Sequence, residues 1–325
     1  MAGTTDPAER RSGRRAAAPA RPRTGGLSGR RARERMVHLL FLVPALAYLG
    51  VFFGYPLGLN AYMAFTDYNT ATFITGKANW IGLRNYTDVL ASPLISTAFR
   101  NTILFTVVSV AGQLVIGMLI ALFFQHRFPG RRWLSSLLLL PWLIPLVVVG
   151  TLWRWMLQQD GAVNGIAAGL GLPEHTGWLS SPSLALGTVI AVNIWIGLPF
   201  TFTIFSASLD GVPAELHEAA SLDGAGYWRR FWHITLPAVR PVLSVLVILG
   251  VVFTLKVLDL VLIMTGGGPA NSTQTLAMMA YTSSFKQFKF GQGAAIGNLL
   301  LLLTLVFAVV YVRLTRRSDQ EASTL

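Results

Sequence analysis

Apolar stretches about as long as a bilayer is thick recur along this chain, and they constrain its fold more than any other feature. Six such runs lie at about 38–58, 101–124, 133–156, 184–206, 242–264 and 294–314. Each approaches the ~20 residues that a helix needs to cross a ~30 Å hydrocarbon core. Inside lipid every backbone N–H and C=O must be bonded within the segment or its closed sheet, so runs of this length imply helices. The expected fold is an all-α membrane protein of six transmembrane helices. Only 12% of the residues are charged and 53% are hydrophobic, against roughly 25% charged in soluble domains.

The formal net charge of +12 invites a nucleic-acid reading, but its distribution favours topology. Ten arginines fall within the first 35 residues, in an Arg/Ala/Gly/Pro segment with too few large apolar side chains to fold by itself. With that segment on the cytoplasmic side, nineteen of the 26 Lys and Arg lie on the cytoplasmic face and six on the outer face. This positive-inside bias puts both termini in the cytoplasm of a multi-pass plasma-membrane protein and gives nucleic acid no role. The expected organisation is a disordered Arg-rich tail (1–36), a first span with its outer loop (37–96), a core transmembrane domain (97–315) and a short cytoplasmic tail (316–325). With no cysteine and five scattered histidines, the chain offers no metal site, thiolate nucleophile or disulfide. No catalytic constellation stands out either.

Several spans carry features beyond hydropathy. Pro141 and Pro145 each remove a helical hydrogen bond from the third span and predict a kink there. Trp153 follows in the same run. Asn193 is an amide within the fourth span, where it serves either a neighbouring helix or a solute. Lys256 and Asp259, three residues apart in the fifth run, predict charges on one helix face. They read as an internal ion pair near the outer end or as one wall of a solute cavity. Thr265-Gly266-Gly267-Gly268-Pro269 then makes a turn through which no helix continues. Trp153, Asn193, Lys256 and Asp259 are the candidate substrate-pathway residues.

The loop 207–240 is polar and falls on the cytoplasmic side. Pro213 suits the first turn of a short helix, and Leu216, Ala219 and Ala220 give that helix a small apolar face. Asp223-Gly224 ends it, and Asp223 is positioned to cap a second helix starting near Ala225. Trp228, Phe231 and Trp232 on the second helix suit a membrane interface, and Pro237 and Pro241 lead into the fifth span. The loop therefore predicts a short helix, a glycine turn and an interfacial helix rigidly joined to a span.

Glu218-Ala219-Ala220, then Gly224, then Ile234-Thr235-Leu236-Pro237 are similar at every spacing to the EAA motif of binding-protein-dependent ABC importer permeases. Gly82-Leu83-Arg84-Asn85-Tyr86, Leu140-Pro141-Trp142, Pro199-Phe200 and Asp259-Leu260 resemble the carbohydrate-uptake branch of that family, the maltose- and glycerol-phosphate-type first permeases. The resemblance covers about residues 37–315. It implies an ABC permease bundle paired with a second homologous permease, two ATPase subunits below and an extracellular solute-binding protein above that delivers a di- or oligosaccharide-like sugar. It also implies that Glu218, Ala219, Ala220, Gly224, Ile234, Leu236 and Pro237 couple the bundle to the ATPase. No G-x-x-x-x-G-K-[ST] phosphate loop occurs in the sequence, so ATP and magnesium are expected in the partner ATPase, with no cofactor on this chain. A glycerol-phosphate-type solute for the same importer, and a proton-driven secondary transporter, are the alternatives.

Overall fold

The computed structural model describes residues 40–171, 173 and 175–322. The Arg-rich tail, the first two residues of the expected first span, and 323–325 lie outside the described residues. Among those described, the only extended pairing is a single antiparallel bridge between Thr66 and Trp80. Five helices are long and apolar enough to cross a bilayer, and a bent pair makes a sixth where its two helices are taken as one broken span.

Contacts divide the chain into two units, one ending at Leu57 and one beginning at Gly58. The first unit is the beginning of α1 (Leu40–Ala64). A π turn, Gly50–Gly54, widens this helix, and large side chains such as Phe41 and Phe53 are exposed along it. A helix apolar all round is what lipid or another membrane surface accommodates.

In the second unit, α4 (Pro93–Gln125) is the central post. Ser92 caps its first turn by accepting from the Leu94 N–H, and Pro93 occupies the first helical position, where its missing N–H leaves nothing unsatisfied. Helix α8 (Ala185–Asp210) packs along α4. The approach is close because Gly117 faces Thr201 and Gly197 faces the Gln113 side chain, so that a Cβ on either glycine would collide. Small residues at helix contacts are the usual means of association in lipid, where apolar burial gives little preference for a protein neighbour. The Gln113 amide closes the contact by donating to the Asn193 carbonyl at 3.0 Å.

Two apolar clusters fill the unit. Phe124, Phe202, Phe205 and Leu246 join α4, α8 and α10 (Tyr227–Leu255) near the C-terminal end of α4. Phe105, Val189, Leu260 and Met278 join α4 and α8 to α11 (Asp259–Met264) and α12 (Leu276–Tyr281) nearer its N-terminal end. The chain closes with α13, Phe290–Ala322, which runs past the expected end of the sixth span.

The segment between α1 and α4 holds α2 (Thr70–Thr75) and α3 (Arg84–Ala91). Asn85 is buried, and its amide donates to the carbonyls of Ala64 at 2.9 Å and Thr66 at 2.8 Å. The Asp67 carboxylate accepts from the Asn79 side chain at 2.9 Å and its backbone N–H at 2.6 Å. These two bonds hold the Asp67 carboxyl below its ordinary range.

The third crossing is broken, as the proline pair predicted. Helix α5, Arg131–Leu143, and helix α6, Leu146–Met156, meet at 101°. Ile144 is extended because a residue before proline avoids the helical region, and Pro145 then opens α6. A short helix, α7 (Ala162–Gly169), and its connection to α8 are fastened by Asn164, which bonds the Gln158, Gln159 and Thr176 carbonyls and accepts from Trp178 Nε1 at 2.8 Å.

The fifth crossing departs from the expected 242–264. Helix α10 ends at Leu255, Lys256 is its C-cap, and Asp259 opens the separate α11. The three-residue spacing therefore does not set Lys256 and Asp259 on one helix face. Both are exposed, and Lys256 Nζ lies 5.3 Å from the centroid of the Phe253 ring. Leu255, Leu260 and Val261 are buried on either side of the break, and no glycine or proline marks it.

Candidate functional site

Helix α9, Ala214–Leu222, follows α8 after a three-residue turn. Pro213 is its N-cap, one position before the expected first turn, with φ −58° and ψ 130°. At the other end the Ala225 N–H donates to the Ala220 carbonyl at 2.9 Å and the Gly224 N–H to the Ser221 carbonyl at 3.1 Å. This pair of bonds is the Schellman arrangement, which requires a left-handed residue just past the helix. Gly224 meets that need at φ 77°. Asp223 is the C-cap of α9 and does not cap the next helix. That helix begins at Tyr227 behind Gly226, with no side-chain bond to its first turn.

None of α9 is buried. Leu216 is 50% exposed and Leu222 is 89% exposed. Glu218 and Ala219 are exposed and Ala220 is half-buried. A nine-residue helix with bare leucines and small residues gains too little from its own propensity to persist alone. It is held by its two covalent junctions and by Arg230, whose Nη1 donates to the His217 carbonyl at 3.5 Å. Between α9 and the bundle lies a cavity of about 460 Å³ lined by Leu122 and Gln125 from α4, Leu209 from α8, His217 and Glu218 from α9, and Arg230.

Helix α10 links this loop to the bundle core. Its first part contains a π turn, Phe231–Thr235, in which the Leu236 N–H reaches back five residues to the Phe231 carbonyl. Pro237 has no N–H to continue the ordinary ladder at this point, and the wide turn accommodates it. Thr235 is buried, Ile234 and Leu236 are half-buried, and Pro237 is exposed. Trp228 and Trp232 are exposed, as the interfacial reading of this segment requires, whereas Phe231 is half-buried and lines the cavity behind α9. The seven motif residues therefore fall on α9, its glycine turn and the first turns of α10, a continuous path from an exposed helix to a span packed against α4 and α8.

A second cavity, about 500 Å³, lies among α4, α5, α8 and α10. Its walls are mostly apolar, including Trp142, Phe200 and Phe253, with Gln113, Asn193, Thr201 and Thr254 as polar points. Asn193 is buried and its Nδ2 makes no hydrogen bond among the described residues. No Asp, Glu, Lys or Arg is among the described residues that line it. Of the four candidate pathway residues only Asn193 is here. Trp153 lines a separate cavity of about 350 Å³ with Trp178 and Thr188, and meets Trp195 edge to face at 5.5 Å. Lys256 and Asp259 line neither. Gln113, Thr201 and Thr254 were missed because a lone amide or hydroxyl in an apolar run carries no sign of which way it faces.

The family described as binding-protein-dependent transport system inner membrane component matches residues 113–320. The chain is 33% identical over 287 residues to the sulfoquinovosyl glycerol transport system permease of Agrobacterium fabrum, covering 88% of this chain and 92% of that one. It is 32% identical over 285 residues to the trehalose/maltose transport system permease of Thermococcus litoralis, covering 87% and 95%. It is also 32% identical over 306 residues to the diacetylchitobiose uptake permease of Streptomyces coelicolor, covering 91% and 93%. The fold is similar to a chain of a bacterial ABC transporter involved in import of the acidic polysaccharide alginate, with a TM-score of 0.75, 23% identity, and coverage of 90% and 98%. A broken third crossing, an exposed Glu-Ala-Ala helix closed by a left-handed glycine, and these matches together make this multi-pass membrane chain a member of the binding-protein-dependent transport permease family.

Proposed function

We propose that this chain is one permease subunit of an ATP-driven importer for a di- or oligosaccharide-like sugar. The observation that carries the reading is α9. It is an exposed, small-faced helix fixed by Gly224 and joined through α10 to a central cavity. Such a helix suits a groove on a separate ATPase, where Leu216, Ala219 and Ala220 allow close approach and Glu218 remains accessible. Glu218, Ala219, Ala220, Gly224, Ile234, Leu236 and Pro237 are the proposed coupling residues. The positive-inside bias supports a cytoplasmic α9. ATP and magnesium then belong to two ATPase copies, and a second homologous permease completes the pathway. A solute-binding protein delivers the sugar on the outer side.

Closure of the ATPase pair moves α9, and α10 carries that movement to Thr254 and Phe253 in the cavity wall. The broken helix pair α5/α6 supplies a second wall that bends at Ile144 without breaking a continuous ladder. Asn193 and Gln113 are the proposed polar contacts for a hydroxylated solute. The names of the three relatives, all sugar-linked, support a saccharide. A phosphorylated solute finds no cation among the described lining residues, and a proton-driven cycle finds no carboxylate there.

The test is uptake in proteoliposomes containing the complete importer and its binding protein. Labelled maltose, trehalose and diacetylchitobiose would be offered with and without internal ATP. ATP-dependent accumulation of at least one supports the reading. Uptake driven by a proton gradient without ATP, or uptake of none of these alongside transport of glycerol phosphate, overturns it.

A further inference from the structure

At the opposite end of α4 from the coupling loop lies a cavity of different chemistry. Ser92 and Leu94, at the start of α4, line it, whereas Leu122 and Gln125 near the other end line the cavity behind α9. A helix of 33 residues separates these ends by roughly 50 Å. The cavity holds about 270 Å³, near the lower limit of small-molecule sites. Its lining is mostly polar: Asp88 from α3, Gln274 and Ser283 around α12, Gln287 and Lys289 beyond it, and Gln292 from α13.

Three observations mark this as a built site. Gln274 is only 4% exposed, yet its side-chain amide makes no hydrogen bond among the described residues. Its amide atoms are not fully enclosed, so the amide opens onto the cavity and offers a donor and an acceptor to whatever fills it. Gln274 is held by its backbone, because Asn101 of α4 donates to its carbonyl at 3.0 Å and Thr102 accepts from the Leu276 N–H at 2.9 Å. The second observation is the π turn Thr282–Lys286, which sets Thr282 and Ser283 on the cavity wall. Single π turns recur at functional sites. The third is Phe288, a non-glycine residue at φ 55° between the lining residues Gln287 and Lys289. Flanking backbone bonds, Gln287 N–H to the Thr282 carbonyl at 2.9 Å and Lys289 N–H to the Ser283 carbonyl at 2.8 Å, hold it there. A strained residue persists where its surroundings over-determine it, and such residues gather at ligand clamps.

The ligand chemistry follows from the donors and acceptors. Three glutamine amides each offer a donor and an acceptor on one rigid plane, the pairing that two neighbouring hydroxyls satisfy. Asp88 adds an acceptor and Lys289 a donor. A phosphate would meet Asp88 as a like charge that offsets the attraction of Lys289, and an apolar solute would leave Gln274 unpaired. We propose that this cavity is a saccharide subsite that takes one sugar ring through its vicinal hydroxyls, at the end of the bundle away from α9, before the solute reaches the central cavity. This rests on the saccharide reading above and adds to it a second, separate contact point.

The test uses the complete importer in nanodiscs and proteoliposomes, with maltose, trehalose and diacetylchitobiose as probes. The variants are Gln274→Leu, Gln274→Glu and Lys289→Gln. Lys289 is exposed, so loss of folding cannot imitate its effect. For the probe that is imported, Gln274→Leu is expected to raise the uptake KM about tenfold, the scale of one good hydrogen bond, with maximal rate within about twofold. Lys289→Gln raises KM less, and both reduce saturation transfer from protein to probe. Wild-type KM and saturation transfer in all three variants overturn the subsite while leaving the importer reading intact. Weakened docking of the binding protein with unchanged saccharide saturation transfer overturns it in favour of a protein loop in the cavity. Failure of the wild type to import any saccharide overturns the importer reading and the subsite with it.

Discussion

Gly224 is the position at which the coupling account can be tested on backbone geometry alone. A Cβ added there meets nothing within 4 Å, so size is not what excludes other residues. What excludes them is φ 77°, at which an L-residue with a Cβ costs about 1–2 kcal/mol. That strain opposes the two hydrogen bonds closing α9, from Ala225 to Ala220 and from Gly224 to Ser221. A shift of 1–2 kcal/mol changes the ratio of capped to uncapped α9 roughly 5- to 30-fold. Gly224→Ala should therefore lower solute imported per ATP hydrolysed by a comparable factor, and Gly224→Val should lower it further, because a branched Cβ tolerates the left-handed region less well. Gly224→Asn should stay near the wild type, since asparagine adopts that region more readily than other side-chain-bearing residues. The assay is paired measurement of uptake and ATP hydrolysis in proteoliposomes, normalised to inserted protein. Equal activity of the Val and Asn variants would refute the reasoning, because it would show that the left-handed turn is not what the coupling loop requires.

Other parts of the molecule give separate expectations. Pro145→Ala should restore an N–H to the α5/α6 break and reduce transport while leaving membrane insertion unchanged, as followed by protease protection and uptake. Asn101→Ala removes donors to the Ser272 and Gln274 carbonyls, at 2.9 and 3.0 Å, and should cost about 1–2 kcal/mol, read as a lower midpoint of thermal unfolding in detergent. Asn193→Leu should raise the uptake KM without altering ATP hydrolysis in the absence of solute, because its free amide faces the central cavity. The Asp67 carboxyl has a depressed folded pKa, so its contribution to the loop is complete above the unfolded value near 3.8 and disappears as pH falls through the lower folded value. Hydrogen exchange of the Asn79 amide should accelerate across that acid window, and in Asp67→Asn it should be fast already at neutral pH.

The parts that were legible in the sequence are those whose chemistry is local. Pro141 and Pro145 change the backbone wherever they stand, and the broken third crossing followed from them. Gly224 next to an Ala-rich turn announced a helix end, and the helix end is there. Lys256 and Asp259 misled because helical spacing was assumed to continue through the end of the fifth run. The break at 256–258 lies between the buried Leu255 and Leu260 on two separate helices, and no residue of its own signals it. Pro213 and Asp223 were each correct as boundary residues and displaced in role, since a cap depends on the dihedrals of one residue and not on its type alone. Gln113 and Gln274 escaped for the same reason. Their amides matter because of what lies opposite them, and facing residues from 80 or more positions away are not readable from a single run.

The central claim is that α9 is the contact through which a separate ATPase drives this bundle. The chain contains no cysteine, so Ala219→Cys introduces the only thiol. In membranes containing the assembled importer, a short bifunctional thiol reagent would be applied with a cysteine placed in the ATPase groove, with and without ATP. The account predicts a cross-linked permease–ATPase product whose yield changes with nucleotide, and no reaction of Ala219→Cys with impermeant reagent from the outer side. Labelling from the outer side without any cross-link to the ATPase would contradict it.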